Sequence, residues 1–122
     1  MKLKDQVCSL ELAKKLKKLG VEQESLFNWV NEKLTFEQPS KEFKVASTSW
    51  YSAFTVAELG ELLPKGWHST KPWNDYEQES KGKWVCILWG ESGETKEAFY
   101  AKNEANARAK MLIYLSEKNL IK

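Results

Sequence analysis

The sequence predicts an α+β fold: an antiparallel sheet of about five strands packed by three helices, in the order α-β-β-α-β-β-β-α. Three observations carry this expectation. Two short amphipathic segments bear helix caps, a strand-like run near residue 85 is apolar on both faces, and the chain closes on an alanine-rich amphipathic segment.

The first helix follows Ser9, a suitable N-cap. Leu12, Leu16 and Leu19 fall on one face, and Gly20 stands where a left-handed residue ends a helix. Lys14, Lys15, Lys17 and Lys18 occupy the other faces, and a solvated basic face is favoured over a phosphate-binding stripe. Glu24 to Val30, ESLFNWV, is aromatic-rich and too brief for a helix to hold itself together, so it reads as a strand. FKVAS, Phe43 to Ser47, is the second strand. NEKLTFEQPSKE between them carries Pro39 and mixed charge, and is expected to be a hairpin connection or exposed loop, the most mobile part of this half.

FTVAELGELLP holds the clearest local signal. Thr55 as N-cap and Glu58 three residues on form a capping box, Phe54 and Leu59 occupy the two positions of a hydrophobic staple, and Pro64 ends the helix. Val56, Leu59 and Leu63 give it one apolar stripe. WHSTKPW follows as a strand confined to an edge or an end by Pro72. In KGKWVCILWG, Trp84, Cys86 and Leu88 alternate with Val85, Ile87 and Trp89, which predicts a central strand covered at least partly on both faces. Gly90 to Gly93 turn the chain and TKEAFYA returns antiparallel. Asn103 caps the last helix, whose Ala105, Ala109, Leu112, Ile113 and Leu115 form a broad apolar face.

With 122 residues and no linker-like stretch or repeat, residues 1–122 read as a single domain. Cys8 and Cys86 have neither zinc-knuckle nor C-x-x-C spacing, and the charged N-terminus lacks a signal-peptide core. The expectation is a soluble protein of the reducing cytoplasm with no membrane contact. Net charge is +2, unevenly spread: residues 1–20 carry six Lys against two acids, and residues 21–64 three Lys against seven Glu. A basic helix beside an acidic segment can be neutralised internally, so the lysines alone argue weakly for nucleic acid.

Clustered chemistry is scarce. His68 is the only imidazole, Cys86 lies inside an apolar strand, and Ser69 as the neighbour of His68 in a strand points to the opposite face. A Cys/His or Ser/His catalytic site is therefore not expected. Asp75, Glu77 and Glu79 lack the calcium-loop pattern and read as a solvated loop or charged edge. No metal and no cofactor are expected. Six Trp is a high count; Trp29, Trp84 and Trp89 sit in strands, whereas Trp50-Tyr51 and Trp67 through Trp73 lie near turns. Packing explains most of them. If a binding surface exists, the sequence places it at Trp67, His68, Lys71, Trp73, Tyr76, Lys81 and Lys83, where aromatics and lysines could stack on a single nucleic-acid strand or meet a protein.

Three stretches, SLELAKKLKKLGVEQESLFNWV, AFTVAELGELLP and EANARAKMLIYLSEKNLI, together resemble small uncharacterised proteins encoded by bacteriophages, prophages and other mobile elements. The layout is also similar, in pattern rather than motif, to phage α/β/α sandwich domains. The resemblance implies an origin and a fold type, and it transfers no catalytic or binding residue. Together with the scarcity of chemistry it implies a non-enzymatic accessory protein that binds a bacterial or phage protein in the host cytoplasm, for host takeover or against a defence system. A small nucleic-acid-binding module is the alternative.

Overall fold

A computed structural model describes residues 2–36, 38, 50–64, 67–70, 83–89 and 95–120. After a 3-10 turn over Leu3–Asp5 come α1 (Leu10–Lys18), β1 (Asn28–Val30), β2 (Lys33–Thr35), β3 (Trp50–Ser52) and α2 (Val56–Leu62). Then follow β4 (Trp67–Thr70), β5 (Trp84–Trp89), β6 (Thr95–Ala101) and α3 (Glu104–Glu117). Among the described residues the fold is α+β with three α-helices, in keeping with the patterning. The described strands do not form the expected single sheet: they make two three-stranded antiparallel sheets, ordered β2-β1-β3 and β4-β5-β6. Both edges of β1 are taken by strands of its own half, and α2 intervenes before the next hairpin begins. Alternation announces a strand without naming its partner.

The stretch after Val30 also differs from expectation. Asn31 and Glu32 adopt positive φ of 50° and 67°, which closes a two-residue hairpin and turns Lys33–Thr35 into a strand registered on β1. Such turns match the twist of the strands but favour Asn-Gly, and the glutamate hides the signal. The expected strand at Phe43 to Ser47 lies outside the described residues, as does Pro72. Trp50 and Tyr51, expected near turns, form β3 instead, with Trp50 buried.

The caps behave as the sequence demands. Ser9 Oγ accepts the Leu12 amide at 3.3 Å, and Gly20 at φ 90° lets the Val21 amide donate back to Leu16 O at 3.1 Å. Thr55 and Glu58 complete their capping box, while Phe54 and Leu59 are buried in one cluster. Leu63 is extended before Pro64, as the proline ring requires. Leu19 departs from expectation. It is the C-cap residue of α1 and is exposed, and Ala13 takes its place beside Leu16 in the core.

α3 is the spine of the molecule. It packs on α1, on α2 and across the β4-β5-β6 sheet, so Ala107 and Met111 are buried along with the five apolar positions of its predicted face. The sheet presents Trp67, Cys86, Leu88, Phe99 and Ala101 toward this core, as the register Trp67↔Leu88 and Cys86↔Phe99 dictates. Val85, one residue out of phase with Cys86, is also buried, so at this point β5 is covered on both faces.

Arg108 of α3 locks three elements together. Its Nη1 donates to Val56 O of α2 at 2.6 Å, its Nε to Ser69 Oγ of β4 at 2.9 Å, and its Nη2 to Glu104 Oε2 at 3.2 Å. The guanidinium lies 4.4 Å from the centre of the Trp67 ring, and Ser69 Oγ donates to the same Glu104 oxygen at 2.6 Å. Gly60 makes the approach possible, since a Cβ there would meet Arg108 Nη1 at 2.7 Å. Among the described residues no helix is long and apolar enough to cross a membrane.

Unfolding measurements on three substitutions and one double variant check this account. Glu32→Gly should raise the unfolding free energy by roughly 0.5–1 kcal/mol, read by urea denaturation, because it relieves a left-handed non-glycine residue. Arg108→Ala should cost on the order of 2–4 kcal/mol. Gly60→Ala should destabilise the parent by about 1 kcal/mol yet stabilise the Arg108→Ala protein by a similar amount, because alanine's helix preference is expressed only once the guanidinium is gone.

Candidate functional site

The structure redistributes the residues singled out from sequence. Trp67 is packed against the core and stacked under Arg108, so its indole face is already occupied. His68 belongs to β4, its backbone registered opposite Ile87, and Lys83 stands half-buried at the entry to β5. Lys71, Trp73, Tyr76 and Lys81 lie outside the described residues, as do Asp75, Glu77 and Glu79.

The cysteines are core groups. Both are fully buried. Burial pushes the Cys8 thiol up to about 12, partly opposed by a hydrogen bond from the backbone at Phe54. Burial likewise raises Cys86 to about 11, partly opposed by the nearby Arg108 charge. A protonated thiol sealed from solvent is a poor nucleophile, which removes the cysteine arm of any Cys/His site.

The basic face of α1 is divided. Lys14, Lys15 and Lys18 are exposed, but Lys17 folds back between Trp50 and Tyr51, its Nζ 4.3 Å and 5.0 Å from their ring centres. That ammonium donates to Trp50 O at 2.8 Å, and burial lowers its pKa. It is a strut between α1 and β3; Lys14 Nζ also lies 5.9 Å from the centre of the Tyr51 ring, on the exposed side of the same contact.

An open apolar surface lies elsewhere. A groove of about 390 Å³ runs between residues 22–26 and α2, floored by buried Phe54 and flanked by Leu26 and Leu62. Leu26 is 68% exposed and Leu62 39%, a high degree for leucines that face one depression. Glu58 sets its geometry: besides closing the capping box, its Oε1 accepts from Ser25 Oγ at 2.7 Å and its Oε2 from the Leu26 amide at 3.0 Å. One side chain thus fixes the start of α2 and the backbone that carries Leu26. Glu22, Glu24 and Glu61 complete the wall, all exposed, and among the described residues no lysine or arginine lines it.

Sequence reasoning missed this groove, although two signals were present. Leu62 falls off the Val56-Leu59-Leu63 stripe, and residues 21–64 are the acidic part of the chain. Leu26 gave no such signal, because it sat inside a predicted strand whose observed extent is only Asn28–Val30.

A second cavity, of about 580 Å³, opens where α2 and α3 begin, lined among others by Gln6, Trp84, Lys102 and Glu104. The Glu104 carboxylate there is already engaged by Ser69 and Arg108. Comparison with known protein families, curated proteins and solved structures finds no match to the chain.

The thiols yield a test by titration. Neither cysteine should react with a disulfide reagent in the native protein at neutral pH, and both should react in denaturant. Because the folded values stand above the ordinary 9.0, the unfolded chain loses its thiol protons first. Their contribution to stability is intact below pH 9 and declines as the pH rises toward about 11 for Cys86 and about 12 for Cys8. Cys→Ala variants followed by thermal unfolding should show a shallower alkaline decline.

Proposed function

We propose that the protein is a non-enzymatic accessory protein of a phage or other mobile element, acting in the bacterial cytoplasm by binding a protein partner, in host takeover or against a defence system. The origin rests on the resemblance of the three sequence stretches. The mode of action rests on one observation, the groove in which exposed Leu26 and Leu62 are held over a Phe54 floor by a backbone that Glu58 clamps. Apolar side chains presented on a fixed backbone lose little freedom on binding, which is what makes a few of them dominate a protein interface.

The alternative, a nucleic-acid module, draws on exposed Lys14, Lys15 and Lys18. The two readings separate in one experiment. Tagged protein is passed through bacterial lysate, with and without nuclease, alongside Leu26→Ser and Leu62→Ser variants. A defined protein retained after nuclease and weakened at least tenfold by either substitution is the expected result, with thermal stability unchanged because both leucines are exposed. Mixed nucleoproteins that vanish with nuclease and with salt, indifferent to both leucines, would transfer the function to the lysines of α1.

A further inference from the structure

We infer that the Leu26–Leu62 groove takes a cationic amphipathic segment of the partner, with apolar anchors flanked by Lys or Arg. The inference rests on the protein-binding reading and specifies its partner.

The apolar part of the argument comes from Leu26, Leu62 and Phe54, which offer a depression that one or two aliphatic or aromatic side chains could fill. The charge comes from the wall. Of its four carboxylates, Glu58 is engaged by the hydroxyl of Ser25 and the amides of Leu26 and Thr55. Glu22, Glu24 and Glu61 are exposed around the same depression, and among the described residues no cationic side chain stands beside them in its lining. A neutral or acidic segment would draw these carboxylates out of water with nothing to compensate them. Lysine or arginine does better, since its stem covers the leucines while its head reaches the rim.

A second copy of this chain is a weaker fit. Its basic surface is on α1, but Ala13 and Leu16 of that helix are buried in its own core and Leu12 is packed against it, so the helix brings charge with few anchors. The groove asks for both.

The probe is a fluorescein-labelled peptide of roughly 14 residues in which Leu and Lys alternate at helical spacing. Peptides with Glu for Lys, or Ser for Leu, serve as controls, and binding to the full chain is read by fluorescence anisotropy at low and moderate salt. The Leu/Lys peptide should bind, and both controls should bind at least tenfold more weakly. Combined Glu22→Gln, Glu24→Gln and Glu61→Gln substitution should weaken the Leu/Lys peptide about tenfold and flatten its salt dependence. Leu26→Ser should weaken it by a similar factor at every salt concentration.

Equal binding of the Ser/Lys or Leu/Glu peptide overturns the proposal, because anchor or charge is then irrelevant. So does binding that ignores Leu26→Ser. A dimer in sedimentation that Leu26→Ser dissociates overturns it too, by assigning the groove to a second copy. If the Leu/Lys peptide fails to bind while Leu26→Ser still abolishes retention of a defined lysate protein, the cationic partner is wrong and the protein-binding reading stands. Loss of neither sinks both.

Discussion

The Arg108 guanidinium is the constraint from which the relative placement of α2, α3 and β4 follows. Each of its three nitrogens donates to a different partner, and one face lies on Trp67. Such a group has little freedom, because a shift toward one partner lengthens a bond to another. Its charge is matched by Glu104 one turn earlier, and that carboxylate is itself oriented by Ser69. The network joins the last helix to a helix 52 residues before it and to a strand 39 residues before it. Three elements distant in sequence are held in one arrangement that apolar packing alone, being non-directional, would specify less sharply.

This placement reaches the groove by a short chain of contacts. Arg108 fixes the first turn of α2 at Val56; that turn is the one capped by Thr55 and Glu58; and Glu58 holds Ser25 and Leu26. A glycine inside α2 costs about 1 kcal/mol of helix propensity against alanine. Gly60 carries that cost because the guanidinium needs the space. Glu58 of the capping box therefore has two roles, starting a helix and positioning an exposed leucine more than 30 residues away.

The second polar strut has a related design. Lys17 lies over Trp50 and Tyr51 and bonds a carbonyl of β3, tying α1 to the edge of the first sheet. Around it Trp29 Nε1 donates to Cys8 O at 3.1 Å, joining β1 to the N-terminal segment. A cationic and an indole donor thus each bond a backbone oxygen, one of β3 and one of the N-terminal segment. The aromatic richness of the first half serves this bracing, as the burial of Trp50 and the packing of Trp29 on the core attest.

What the sequence determined by itself is what depends on neighbours along the chain. The caps at Ser9, Thr55 and Asn103, the left-handed Gly20, the stop at Pro64, the β5–β6 pairing and the apolar face of α3 all rest on spacings of a few residues, and all are present. Only the tertiary structure decided the rest. Strand alternation is the same in one sheet or two, so the division into β2-β1-β3 and β4-β5-β6 was illegible, and Glu32 in place of glycine concealed the tight hairpin. Exposure was illegible as well. Leu26, read as part of a strand, stands in solvent, whereas Trp67, read as a binding aromatic, is stacked under an arginine from a helix 41 positions later. Local geometry is fixed by bonds between near residues, whereas a surface is whatever long-range packing leaves uncovered, and no spacing along the chain encodes it.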